Sequence, residues 1–135
     1  QPAATPAAAA LGNWPVQIKL VPVSAPYLND AALLIAADCT GFAAPDFHER
    51  FLAGRVCLVG CPKLDDTAPY VAKLAAIFAA KNISSVEVVR MEVPCCGGIV
   101  SIVEQALQAS GAKVPLTVTT LGVRGEVVSI EQIGA

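Results

Sequence analysis

The sequence predicts an α/β domain built as a three-layer sandwich around a mainly parallel sheet. Three runs have the length of buried strands, and the first of them is apolar throughout: Ala31–Ala37, Arg55–Gly60 and Ser85–Val93. Strands that are apolar throughout are typical of a parallel sheet covered on both faces. Segments with helical spacing of apolar residues separate these runs, and short connections join them, as in repeated βαβ units. These two observations together indicate the fold class.

The remaining elements follow from local patterns. Trp14–Val23 alternates apolar and polar residues between Pro15 and Pro22, which predicts an edge strand because proline is tolerated there. The apolar spacing and the flanking glycines predict helices over Pro45–Ala53, Asp66–Lys81 and Ile99–Ser110. The end of the chain predicts a terminal hairpin or one long bent strand, from Val114–Leu121 and Glu126–Ile130. The whole arrangement is Rossmann-like.

Composition limits the classes of function. Hydrophobic residues make up 55% of the 135 residues and charged residues 15%, as expected of one compact domain. The net charge of −2, without basic clusters, argues against a nucleic-acid partner. No apolar run approaches the roughly 20 residues that span a bilayer, which argues against a membrane partner. Residues 1–12 are Ala/Pro-rich and predict a linker, so we expect residues 13–135 to be a single metal-binding domain cut from a larger protein.

The cysteines carry the functional prediction. Cys39, Cys61 and the Cys95–Cys96 pair each follow an apolar strand. If the strands are parallel, their carboxyl ends share one edge of the sheet, where neighbouring strands lie about 4.8 Å apart. Four thiols from three turns could ligate a zinc ion or an iron–sulfur cluster. We therefore predict that Cys39, Cys61, Cys95 and Cys96 bind a metal centre.

Two further residues need separate interpretations. Cys57 precedes Cys61 by four residues within a strand, or roughly 13 Å, and is predicted to be a small buried apolar residue. His48, the single histidine, is predicted to lie in the helix after Cys39, near the same edge. It could be a metal ligand, a hydrogen-bond donor to a ligand, or an ordinary surface residue.

Acidic residues accompany the cysteines. Asp38 could hold a ligand or receive a proton, whereas Asp65 and Asp66 have the spacing of helix caps.

Three functions stay open. The first is an iron–sulfur redox or electron-transfer module, because adjacent cysteines can reach two irons of a cluster more easily than they chelate one ion. The second is a zinc site of Cys39, Cys61, one cysteine of the pair and His48, in a sensing, structural or hydrolytic domain. The third is metal-free thiol–disulfide exchange. The chain has neither a phosphate-binding loop nor a serine-hydrolase elbow.

Several motifs also carry a resemblance: Asp38-Cys-Thr-Gly-Phe-Ala43, Phe47-His48, Val59-Gly-Cys-Pro-Lys-Leu-Asp-Asp66 and Arg90-Met-Glu-Val-Pro-Cys-Cys-Gly-Gly98. They resemble the C-terminal domain of a ferredoxin-type (4Fe-4S) iron–sulfur protein family of anaerobic bacteria. The resemblance implies a cytoplasmic redox protein with an N-terminal ferredoxin domain as partner. The ferredoxin cysteine runs themselves are absent from these residues.

Overall fold

A five-stranded sheet forms the centre of the molecule. The structure is a computed structural model and describes residues 8–93 and 98–133. The strands are β1 (Ala32–Ala37), β2 (Val56–Gly60), β3 (Ser85–Met91), β4 (Leu116–Leu121) and β5 (Val127–Ile133). Their order is β2-β1-β3-β4-β5; the first four are parallel and β5 is antiparallel to β4. The predicted α/β class with a mainly parallel sheet is confirmed.

Two long helices, one short helix and several turns connect the strands. The short helix is α1 (Thr40–Ala43), and the long helices are α2 (Ala68–Ala80) and α3 (Gly98–Ser110). Pro26–Leu28 forms a 3₁₀ turn ahead of β1. Right-handed crossovers put α2 and α3 on one face of the sheet and the β1–β2 connection on the other, which gives the three layers. Within the described part of the chain, no helix is both long and apolar enough to cross a membrane.

The prediction of a helix over Pro45–Ala53 is wrong in its length and its type. Its place is taken by a single π-helical turn at His48–Leu52, closed by a hydrogen bond from the Ala53 N–H to the His48 carbonyl at 3.0 Å. Three bulky side chains of this region are buried against the sheet: Phe47, Phe51 and Leu52. The wider turn lets the consecutive Phe51 and Leu52 both reach the core.

The edge strand predicted over Trp14–Val23 is not formed. Gln17 makes one isolated parallel bridge to Val59, and the chain then turns, with the Leu20 N–H bonded to the Gln17 carbonyl at 2.9 Å. Pro15 and Pro22 cannot donate to a ladder, which limits pairing to this single point. The segment nevertheless lies beside β2 and buries Ile18 and Val21.

Asn13 extends the cover on β2 with its side chain. Its amide nitrogen donates to the Cys57 carbonyl and its amide oxygen accepts from the Cys57 N–H, both at 2.9 Å. Only 6% of Asn13 is exposed. Cys57 lies on the outermost strand, and its N–H and carbonyl point away from β1. The side chain of Asn13 therefore satisfies both of these backbone groups.

The end of the chain forms the hairpin that was one of the two predictions. β4 and β5 are joined at residues 122–126, where the Gly122 N–H bonds to the Glu126 carbonyl at 2.8 Å. Gly125 has a φ of +89°, and a Cβ there would lie 2.2 Å from the Ala43 carbonyl oxygen. The hairpin turn thus packs directly on α1, at the carboxyl-terminal edge of the sheet.

Candidate functional site

The three strands that lead to cysteines are neighbours in the sheet. β1 lies between β2 and β3, and all three are parallel. Ala37 at the end of β1 pairs with Gly60 at the end of β2, and the Asp38 N–H bonds to the Gly60 carbonyl at 3.2 Å. The connections after β1 and β3 leave toward opposite faces, so the crevice between these strand ends is where open α/β sheets bind ligands.

Cys39 is held by its backbone and open at its side chain. It is exposed, and its carbonyl accepts the N–H groups of Phe42 and Ala43 at 3.2 and 3.1 Å. The neighbouring Thr40 is buried and donates its hydroxyl to the Ala37 carbonyl at 2.8 Å. The turn that carries Cys39 is therefore fixed to the end of β1 while the thiol faces outward.

Cys61 is half-buried and sits in a more constrained turn. Its N–H donates to the Tyr70 hydroxyl at 3.2 Å, and its carbonyl accepts the Asp65 N–H at 3.0 Å. The next residue, Pro62, lies beside the start of α3, since a Cβ added to Gly98 would be 3.4 Å from the Pro62 Cβ. The amino terminus of α3 is thus adjacent to the Cys61 turn.

A charged network surrounds the Tyr70 hydroxyl. Tyr70 is 1% exposed and donates to the Asp65 carboxylate. Burial, and then the bond to Asp65, raise the pKa of Tyr70 above its ordinary value. The bond from Tyr70 lowers the pKa of Asp65, and Lys19, 3.7 Å away, lowers it further. The phenol therefore stays neutral and the carboxylate stays charged at neutral pH.

Asp38 has the opposite environment. Partial burial raises its pKa, and the negative charge of Asp65 raises it further. One carboxylate oxygen of Asp38 is buried without a hydrogen-bond partner among the described residues. Asp38 is thus a carboxyl group that binds a proton more readily than usual, next to Cys39 in the chain.

Cys57 is buried, as predicted. It is 3% exposed in the middle of β2, opposite Leu34 of β1. Burial raises the pKa of its thiol to about 12, which leaves it protonated and unreactive at neutral pH.

His48 lies on the exposed surface of the β1–β2 connection. Its Nδ1 accepts the Ala10 N–H at 2.9 Å, so only Nε2 remains to bind another group. His48 also lines a cavity of about 230 Å³ together with Ala8, Ala9 and Phe47. Its predicted role as a metal ligand stays a prediction, in a surface position that the prediction allowed.

The predicted four-thiol site is only partly visible. Cys95 and Cys96 lie outside the described residues. Within residues 8–93 and 98–133, no three His, Cys, Asp or Glu side chains form a group that could hold a metal ion. Cys39 and Cys61 occupy neighbouring strand ends, as the prediction requires, and metal binding stays a prediction.

Sequence reasoning missed two polar networks. One is Tyr70 with Asp65 and Lys19, whose only signal was an aromatic residue on the apolar face of a helix. The other lies on the opposite face of the sheet, where Glu87 pairs with Arg55 and accepts the Thr119 hydroxyl at 2.6 Å. A glutamate inside an apolar strand was its signal. This second network links the residue before β2 to β3 and β4.

Comparisons with known proteins give the family. Residues 25–134 match the model of a Rossmann-like domain. A protein of Archaeoglobus fulgidus, described as an uncharacterized protein, is 37% identical over 99 residues, which are 73% of this chain and 69% of that protein. No solved structure matches the chain.

The resemblance to a ferredoxin-type iron–sulfur family was wrong. Neither match is to a ferredoxin or iron–sulfur family. The motifs that carried the resemblance are short, and short motifs of this kind do not by themselves establish a function. The match over residues 25–134 covers strands and helices alike, and by it the chain belongs to the Rossmann-like domain family.

Proposed function

We propose that the carboxyl-terminal edge of the sheet binds a metal centre through thiolates. The ligands are Cys39, Cys61, Cys95 and Cys96, and the centre is an iron–sulfur cluster that gives the domain a redox or electron-transfer role. The observation that carries this proposal is the strand order: β2, β1 and β3 are adjacent and parallel, so the chain leaves these three strands at one edge, and in sequence each strand is followed by one or two of these cysteines.

Distances support the grouping. Neighbouring strands lie about 4.8 Å apart, so the turns after β1 and β2 start within reach of a common ligand. Gly98, the first residue of α3, lies beside Pro62 and therefore beside the Cys61 turn. Cys96 precedes Gly98 by two residues, which limits the separation of their Cα atoms to about 8 Å.

The donor set favours a cluster over a single ion. Adjacent cysteines reach two irons more easily than one tetrahedral ion. His48, the remaining nitrogen donor that a zinc site would use, already accepts a hydrogen bond at Nδ1. The positive amino terminus of α3 lies near the Cys61 turn and stabilises thiolate charge. Such a thiolate site needs a reducing compartment, and the proposal therefore places the protein in the cytoplasm.

The test is purification without oxygen, followed by an absorption spectrum and analysis of iron, sulfide and zinc. We expect a brown protein with a broad band near roughly 400 nm that dithionite bleaches. Cys39→Ala, Cys61→Ala and the double Cys95→Ala/Cys96→Ala variant should each lose most of the iron. Cys57→Ala is the matched control and should keep it.

Three results would contradict the proposed cluster or its ligands. A colourless protein with one zinc per chain would replace the cluster by a zinc site. A metal-free protein whose thiols exchange with a disulfide would leave thiol redox chemistry instead. Loss of the metal in Cys57→Ala alone would contradict the ligand assignment.

A further inference from the structure

We propose that Tyr70 is a positioning residue for the Cys61 thiolate: its hydroxyl holds the Cys61 turn in the conformation that captures and retains the metal. This inference rests on the proposed function, because it concerns one ligand of that same site. Tyr70 itself does not touch the metal. It acts through the backbone of Cys61 and the carboxylate of Asp65.

The first argument is the space that the chain leaves for the Tyr70 side chain. Tyr70 reaches from α2 to the end of β2, where the backbone of Gly60 faces its ring. A Cβ at residue 60 would lie 2.7 Å from the Tyr70 hydroxyl oxygen and 2.8 Å from the ring carbon that bears it. The aromatic side chain can occupy this position only because residue 60 is glycine.

The second argument is the closed set of hydrogen bonds. The Tyr70 hydroxyl accepts the Cys61 N–H and donates to Asp65, while the Asp65 N–H donates to the Cys61 carbonyl. Both ends of the Cys61–Asp65 turn are thereby fixed to one buried group. Lys19 holds the same carboxylate from outside, with its Nζ 3.7 Å from Asp65 and 5.7 Å from the centre of the Tyr70 ring.

The consequence for the site is preorganisation. A ligand residue whose turn is already ordered loses less conformational entropy when the metal binds. Groups that support metal ligands from outside change metal affinity by about 10–100-fold when they are removed. We therefore expect Tyr70 to affect metal retention far more than a buried hydroxyl elsewhere in the fold does.

The chain provides a matched control in Tyr27. Its hydroxyl is buried without a hydrogen-bond partner among the described residues. Tyr27→Phe removes the same atom from the same type of residue without removing a bond, whereas Tyr70→Phe removes two. Asp65→Asn serves as the conservative variant, because its amide oxygen can still accept the Tyr70 hydroxyl.

Two measurements test the inference. The first is the rate of iron release from each metal-loaded protein to an excess of chelator without oxygen. The second is the rate of alkylation of Cys61 by iodoacetamide in the metal-free protein, read by peptide mass spectrometry with Cys39 as internal reference. We expect Tyr70→Phe to release iron about 10-fold faster and to alkylate faster at Cys61 only. Tyr27→Phe should stay near the wild type in both rates. Asp65→Asn should fall between the wild type and Tyr70→Phe, because the amide oxygen still accepts the Tyr70 hydroxyl while the ion pair with Lys19 is lost.

The outcomes separate this inference from the proposed function. If iron binds and Tyr70→Phe matches Tyr27→Phe in both rates, the positioning role is wrong and the metal site stands. Equal slowing or acceleration of Cys39 and Cys61 would indicate a general loss of structure and would also overturn it. If the wild type binds no metal, the proposed function fails together with the role of Tyr70 in metal retention. The alkylation ratio then decides whether Tyr70 positions the thiol.

Discussion

Two cysteines of one strand segment, Cys57 and Cys61, have opposite environments. Cys57 is buried in the sheet, and the side chain of Asn13 binds its backbone. Cys61 is half-buried just past the strand end, and the side chain of Tyr70 binds its backbone. In both places a polar side chain from another part of the chain replaces a missing strand partner. Only at Cys61 does this leave the thiol accessible, so position along the strand decides between a structural and a chemical role.

The largest effect on stability is expected at the end of β2 that leads to Cys61. Gly60→Ala places a Cβ 2.7 Å from the Tyr70 hydroxyl oxygen and forces the Tyr70 side chain away from the end of β2. We expect a loss of about 3 kcal/mol in the free energy of unfolding, the upper range for an overpacked core. Denaturant unfolding measures the loss, and alkylation of Cys61 should accelerate at the same time. Unchanged stability with unchanged alkylation would contradict the contact between residue 60 and Tyr70.

A somewhat smaller effect is expected at the Cys57 end. Asn13→Ala leaves the N–H and the carbonyl of Cys57 without their partners, which should cost about 2 kcal/mol of stability. Denaturant unfolding again gives the value. The alkylation rate of Cys61 should not change, since Tyr70 and Asp65 are untouched. A variant that loses stability and also exposes Cys61 would show that the two ends of β2 are coupled.

The smallest effect concerns the charge beside Cys39. The pKa of Asp38 is raised in the folded state, so the folded protein binds its proton more tightly than the unfolded chain. This carboxylate therefore lowers stability at neutral pH, and the penalty disappears as the pH falls below its unfolded pKa of about 3.9. We expect Asp38→Asn to be more stable than the wild type by about 0.5 kcal/mol at pH 7.

The measurement for Asp38 is denaturant unfolding of both proteins at pH 7 and near pH 3.5. The difference should shrink at the lower pH. A difference that grows as the pH falls would reverse the sign and show that the Asp38 carboxylate has a stabilising partner in the folded protein.

The first two strands were predictable from the sequence because burial on both faces makes them continuously apolar, and β3 was predictable from its valines despite Glu87 and Arg90. β1, β2 and β3 lie within one or two residues of their predicted bounds. Strand order was not predictable, since no local pattern records which strands are neighbours. The order β2-β1-β3 came from the structure, and it is what makes a shared thiolate site geometrically reasonable.

The errors have a common physical origin. Trp14–Val23 has the alternation of a strand, but its prolines and its turn at Gln17 limit it to one bridge. The π-helical turn at His48–Leu52 depends on the space available to Phe51 and Leu52 in the core. The packing position of Tyr70 requires a glycine at residue 60, ten residues earlier and on another element. Each feature depends on contacts between distant segments, which local spacing does not contain.

The bond between Asn13 and Cys57 also defines where this domain can be cut. An amide side chain carries one acceptor and two donor hydrogens, so it can act as a single peptide unit of an additional strand. A truncation that begins after residue 13 would leave the N–H and the carbonyl of Cys57 open to pairing with another molecule, although the bridge from Gln17 to Val59 would still cover the end of β2. The useful boundary for expressing the domain therefore falls before Asn13, although the first long element of the sheet begins only at Ala32.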